Sequence, residues 1–197
     1  FRCSFSLPKV LPIFHKEFPQ VQFRIVEAPS AVLDQKLLNG EIDLAFYMSF
    51  ERMTGLSYQV MHSDKMYAIL SKGHPLEAKA AQSGEFSLEW LAGQTLLLQN
   101  RTQRQGQYIL QELEKRRIQP AEILESSNIR AAAALAANGY GIGFLSGELL
   151  EHLELDIPFG AYPLQNCTLH IESVAAWRTG DYLPHYAQAF IKLMEQV

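Results

Sequence analysis

Side chains capable of covalent chemistry occur in this chain, but not in the patterns that such chemistry needs. The six histidines (15, 62, 74, 152, 170 and 185) show no H-E-x-x-H or similar spacing that would put two metal ligands on one helix face. No serine lies in the G-x-S-x-G elbow that exposes a nucleophile, and no G-x-x-x-x-G-K-[ST] phosphate loop occurs. Cys3 and Cys167 are the two cysteines. Neither joins a C-x-x-C or a His/Cys cluster, so a structural zinc site is not expected; they read as isolated structural thiols in a reducing compartment, with a disulfide the unsupported alternative. Glu41 and Asp43 form a spaced acid pair, but they fall before and inside a predicted strand and do not make an acid/base couple. No catalytic residue, metal or cofactor is expected.

What remains is the chemistry of binding. Open α/β sheets take ligands beyond the carboxyl ends of their strands, where helix N-termini offer unpaired N–H groups and partial positive charge. Four corners qualify. They are the start of the first helix (Arg2, Ser4, Phe5), the end of a strand near Phe46 (Tyr47, Met48), the corner Gln99, Asn100, Arg101 and Thr102, and the corner Ser126, Ser127, Asn128 and Ile129. The strand end at Phe144, Leu145 and Ser146 is expected to form a wall. Arg101 and Arg104 are able to grip a carboxylate bidentately, or are surface charges. Ser127 and Asn128 contact ligand, cap a helix, or do both; Tyr47 and Met48 contact ligand or pack. The helix N-termini favour an anionic small molecule.

The elements that position these corners follow from periodicity. Leu7, Val10, Leu11, Phe14 and Phe18 form one helical stripe, which Pro19 helps to end. Val21, Phe23 and Ile25 alternate as in a strand. Ser30 is an expected N-cap for a helix that Asn39-Gly40 stops, and Ile42–Phe46 reads as a buried strand. Strands are predicted at 56–62 and 66–71, and 73–87 reads as a connection. Then come strand 95–99, helix 104–117, strand 121–125, an alanine-rich helix 128–137 stopped by Asn138-Gly139, strand 141–145 and a short helix to His152. Residues 155–162 read as loop or weak strand, 167–177 as a long strand, and a closing helix carries Leu183, Tyr186, Phe190, Leu193 and Val197. Repeated β/α alternation predicts an α/β fold with a largely parallel sheet. Two clusters with long strand-like segments near 66–72 and 168–177 suggest two lobes, the first discontinuous: 1–68 with 174–197, and 69–173.

Of the 197 residues, 48% are apolar and 19% charged, an ordinary globular balance. A formal net charge of −4 argues against nucleic acid as a direct partner. Lys115, Arg116 and Arg117 read as a solvated helix end. No apolar run is long enough for a membrane span, and the amino end lacks the regions of an export signal.

Several stretches resemble the effector-binding domain of LysR-type transcriptional regulators. Leu7-Pro8-Lys9-Val10-Leu11-Pro12-Ile13-Phe14 through Phe18-Pro19 is similar to that family's first helix, L-L-P-x-x-L-x-x-F followed by an aromatic-proline pair. Asn39-Gly40-Glu41-Ile42-Asp43-Leu44-Ala45-Phe46 resembles its G-E-x-D-L-A-I segment. Gly139-Tyr140-Gly141-Ile142-Gly143-Phe144-Leu145 resembles G-x-G-I-x-x-L-P, with Ser146 in place of proline. Gly73-His74-Pro75-Leu76 matches G-H-P-L, and Ala176-Trp177-Arg178 resembles the last-strand ending.

The resemblance implies a type-2 periplasmic-binding-protein fold used inside the cell, with two Rossmann-like lobes joined by two crossover strands. It implies a small-molecule effector in the interlobe cleft, and a homodimer or homotetramer. DNA would be reached only through a winged helix-turn-helix that these residues do not include, with RNA polymerase a further partner of the parent protein. The family has a full first strand before its first helix, for which Phe1–Ser6 leaves little room. A solute-binding receptor for a transporter and an enzyme on the same fold are the alternatives.

Overall fold

The structure is a computed structural model that describes residues 2–49, 51–166 and 171–196, with the side chains of 5–49, 51–166 and 172–196. The thiols of Cys3 and Cys167 and the side chains of Arg2 and Ser4 lie outside the described residues. The chain forms two compact units, Phe1–Ser63 with Glu172–Val197, and Asp64–Ile171.

The first unit holds helices α1 (Arg2–Glu17), α2 (Ser30–Leu38) and α7 (His185–Met194), and a sheet of β1 (Ala45–Ser49), β2 (Leu56–Asp64) and β9 (Ile171–Arg178) in the order β1-β9-β2. β1 and β9 run antiparallel, with Tyr47 opposite Val174 and Met48 opposite Ser173. Strand alternation sends Ala45 and Tyr47 to a core with Leu33 and Leu37 of α2. Phe46 faces the other way, to a core with Val10 and Phe14 of α1 and Phe190 and Met194 of α7. Pro8 and Pro12 lie within α1, four apart on its exposed face, where each removes a backbone donor.

The second unit holds a six-stranded sheet in the order β4-β8-β3-β7-β5-β6. Its strands are β3 (Met66–Ser71), β4 (Phe86–Ser87), β5 (Thr95–Gln99), β6 (Glu122–Ser126), β7 (Ile142–Ser146) and β8 (Phe159–Gln165). Its helices are α3 (Glu77–Ser83), α4 (Arg104–Arg116), α5 (Ile129–Ala137) and α6 (Gly147–Glu151). The sheet is mixed rather than largely parallel: β7, β5 and β6 are parallel, while β3 runs antiparallel to β7 and β8. Leu97 and Leu145 pack with Ile129, Ala132, Ala133 and Ala136 of α5.

Three helices end in the same hydrogen-bonded closure. After α2, Gly40 N–H donates to Leu37 O and Glu41 N–H to Lys36 O, with Gly40 at φ +70°. After α5, Gly139 at φ +84° does the same through Ala136 and Leu135. After α4 the left-handed position is held by Arg117, at φ 56°, with Ile118 N–H donating to Leu113 O.

Several expectations need correction. Residues 21–26 form no strand: they find no ladder partner among the described residues, and Phe23 and Ile25 stay 43% and 55% exposed. Alternation without a neighbouring strand does not make a sheet. The strand expected at 42–46 begins only at Ala45, because Glu41 N–H and Ile42 N–H are still bound to Lys36 O. Ser30 is the first helical residue rather than the cap, which is Pro29. The connection 73–87 contains α3 and β4, and of the two readings offered for 155–162, loop or weak strand, the strand holds from Phe159 onward as β8, which pairs with both β3 and β4. The start of the last predicted strand, 167–170, lies outside the described residues. Arg116 is not a solvated cation: it donates to Glu112 at 3.1 Å, to Glu89 at 2.8 Å and to the Asn166 carbonyl at 2.9 Å.

Candidate functional site

The second unit contains a reversal of strand order. From β5 the chain passes through α4 to β6 on one side; from β7 it passes through α6 to β8 on the other. β5 and β7 are parallel neighbours whose exits diverge, which is the arrangement that opens a crevice at the carboxyl edge of an α/β sheet. The β5/β7 ladder pairs Leu96 with Ile142 and Leu97 with Gly143. The next β7 carbonyl, that of Phe144, is taken instead by the Gln105 side chain, whose Nε2 donates to it at 2.7 Å.

The first turn of α4 reaches that carbonyl because Gly106 has no side chain. A Cβ there would stand 2.0 Å from the Gln99 carbonyl oxygen and 2.8 Å from that of Asn100. Gln105 is buried, at 8% exposure. Gln103 is the α4 N-cap, with no side-chain capping bond.

The corner 99–102 is tied up locally. Asn100 N–H donates to Ser126 O at 3.2 Å. Asn100 Oδ1 accepts from Thr102 N–H at 3.2 Å and from Thr102 Oγ1 at 2.6 Å. Arg101 Nε donates to Glu125 Oε1 at 2.9 Å, and its backbone N–H to Oε2 at 3.3 Å. Bonding to the Arg101 side chain holds the Glu125 carboxyl below its usual value.

The other two helix N-termini at this edge are filled by the chain itself. Asn128 caps α5, its Oδ1 accepting from Arg130 N–H and Ala131 N–H at 3.1 and 3.2 Å. At α6, Ser146 Oγ accepts from Leu149 N–H at 3.3 Å. Asp64 takes the rest: Oδ1 accepts from Gly147 N–H at 3.0 Å, Oδ2 from Glu148 N–H at 2.8 Å. A carboxylate thus already sits at the α6 N-terminus.

Gln99, Asn100, Arg101, Thr102, Ser127 and Asn128 therefore share one edge of the second unit. Ile129 and Leu145 do not present their side chains there: both belong to the core beneath. Phe144 is buried and contributes its carbonyl. Tyr47 and Met48 belong to the first unit and lie within β1 rather than beyond a strand end. Tyr47 is a core residue, its hydroxyl donating to the fully buried Asp34. Burial first, then bonding to Asp34, raises the Tyr47 pKa far above the ordinary tyrosine value. Ser4 and Phe5 lie in the first turns of α1.

Sequence reasoning missed Asp64, Gln103 and Gln105. A glycine at position 106, in the first turn of a predicted helix, was the one available sign that backbone comes close there. Asp64 carried no such sign.

Two α/β units, one built from both ends of the chain and one from its middle, make a type-2 periplasmic-binding-protein-like fold. Residues 3–197 match the LysR substrate binding domain, and the chain belongs to that family. It is 24% identical over 139 residues to the uncharacterized HTH-type transcriptional regulator YybE of Bacillus subtilis, covering 71% of this chain and 46% of that protein. The chain spans about half the length of the curated relatives it matches. Among solved structures it is similar to the Synechocystis PCC6803 CcmR regulatory domain in complex with 2-PG. The TM-score is 0.82 and the identity 17%, over 99% of this chain and 92% of that one. It is also similar to the BenM effector binding domain with its effector benzoate, with a TM-score of 0.78 and 17% identity over 96% and 84% of the two chains. No helix among the described residues is long and apolar enough to cross a membrane.

Proposed function

We propose that this domain senses a small anionic effector for a LysR-type transcriptional regulator, and that the carboxyl edge of β5, β6 and β7 is part of the effector site. The reversal of strand order between β5 and β7 is the observation that carries the siting. Of the three helix N-termini on this edge, only that of α4 opens without a side-chain cap. An effector carboxylate or phosphate is best received there, beside Arg104, its first residue. Gln99, Asn100, Thr102 and Ser127 lie on the same edge.

The parent protein acts in the cytoplasm, binds DNA through a separate amino-terminal domain, assembles as a dimer or tetramer and meets RNA polymerase through that assembly. It catalyses no reaction. The effector shifts the regulator between two states only by its differential affinity for them. The curated relatives it matches include transcriptional regulators, which supports this reading over a transport receptor.

A thermal-shift screen of the purified domain against acidic, basic and neutral metabolites tests it. Concentration-dependent stabilisation confined to acids is expected, because a ligand specific to the folded state stabilises by mass action. Stabilisation by cations or apolar compounds alone would sink the proposal. Arg104→Ala is expected to weaken the response to any acid that binds.

A further inference from the structure

The first turn of α4 carries two side-chain oxygens that meet no donor among the described residues. Gln105 is 8% exposed and its Nε2 is spent on the Phe144 carbonyl. Its Oε1 meets no donor among the described residues. Gln103, at the start of the same helical turn, has an Oε1 shielded from solvent that also meets no donor among the described residues. For Gln103 the cost is that of a carbonyl oxygen that loses water without gaining a donor, about 1–3 kcal/mol. Native proteins keep few such groups, and each calls for a water, a strain or a ligand to explain it.

The surrounding corner supplies no proton to them. Thr102 gives its donors to Asn100. Arg101 is turned to Glu125, and Gln107 Nε2 donates to the Arg101 carbonyl at 2.8 Å. Asn128 offers its oxygen to α5.

We infer that Gln103 and Gln105 read a hydrogen-bond donor on the effector, so that the effector is a small acid with an O–H or N–H group beside its acidic group. The inference rests on the reading of this edge as part of the effector site. An acid received at the α4 N-terminus presents its neighbouring substituent to the turn that carries both glutamines. A plain carboxylate brings no proton and leaves both oxygens unpaired. A site built around such acceptors rejects the analogue that lacks the donor far more strongly than an apolar pocket rejects a missing methylene.

Titration calorimetry on the domain with matched acids tests this. The pairs are lactate and propionate, alanine and propionate, malate and succinate, and mandelate and phenylacetate. The donor-bearing member of at least one pair is expected to bind about tenfold or more tightly than its partner. In Gln103→Leu, and in Gln105→Met where circular dichroism shows it folded, that ratio falls toward one. Equal affinity within every pair that binds overturns the inference and leaves the acid site standing. A preference that survives Gln103→Leu and Gln105→Met also overturns it, since the donor is then read elsewhere. Failure of every acid to bind overturns the acid site and the inference together.

Discussion

Tyr47→Phe separates two roles for one side chain. By its sequence position Tyr47 is a candidate ligand contact; in the fold its hydroxyl donates to Asp34, and the two residues are 7% and 0% exposed. Removing the hydroxyl keeps the ring in the core and takes a donor from a buried carboxyl group. Hydrogen bonds to charged groups contribute about 1.5–3 kcal/mol, so a loss of about 2 kcal/mol is expected. For a chain of this length that is a fall in Tm of about 4–8 °C. The assay is urea unfolding, where the midpoint should drop with the slope unchanged. A double-mutant cycle with Asp34→Asn should return a coupling of about 1 kcal/mol or more.

The pH dependence gives an independent reading of the same group. The Tyr47 pKa is raised above the ordinary 10.0, so between that value and its folded one the folded state keeps a proton that the unfolded state releases. Its stabilisation is complete below pH 10 and declines as the pH rises further. Wild-type stability should therefore fall on the alkaline side of pH 10, and Tyr47→Phe should blunt that slope. An unfolding midpoint equal to wild type, together with weakened effector binding, would refute the structural assignment.

Three further substitutions test the packing. Arg117→Gly should stabilise by about 1 kcal/mol, because Arg117 occupies the left-handed position at φ 56° that glycine fills after α2 and α5; the unfolding midpoint reads it. Ser6→Ala should also stabilise, by about 1 kcal/mol, since the Ser6 hydroxyl is fully buried with no partner among the described residues and alanine is the better helix former. Gly106→Ala should destabilise by about 1–3 kcal/mol, since its Cβ would meet the Gln99 carbonyl oxygen at 2.0 Å. Hydrogen exchange should place that loss at the β5–α4 corner.

The second unit was more legible in sequence than the first, and locality is the reason. β5 at Thr95–Gln99 matches its expected span, and α4, α5, β6 and β7 fall within a residue of theirs, because each signal is complete within its own segment. β8 failed that test. Its alternation is weak, and it is a strand because β3 and β4 flank it, a relation that lies far along the chain. Residues 21–26 failed in the opposite sense, with clear alternation and no partner among the described residues. The site divides in the same way. Corner positions followed from strand and helix ends, but which of their polar groups stay open depends on contacts such as Asp64 with α6, 83 residues apart in sequence.

That selectivity of open groups bears on how a sensor of this kind works. Asn100, Asn128, Ser146 and Asp64 all spend their oxygens on nearby backbone or side chains. An effector gains nothing by displacing them, since each bond lost offsets each bond made. At the proposed site its free energy would come from what remains: the uncapped first turn of α4 with Arg104, and the oxygens of Gln103 and Gln105. One charge-assisted bond at about 1.5–3 kcal/mol and two neutral ones at about 0.5–1.5 kcal/mol each sum to about 2.5–6 kcal/mol. Moving a two-state regulator from 1:99 to 99:1 takes about 5.5 kcal/mol of differential affinity. The edge supplies that much only if all three groups are engaged in one state and none in the other. An effector that satisfies α4 alone would bind this surface and still fail to switch the protein, so recognition of the donor is where binding and signalling part company.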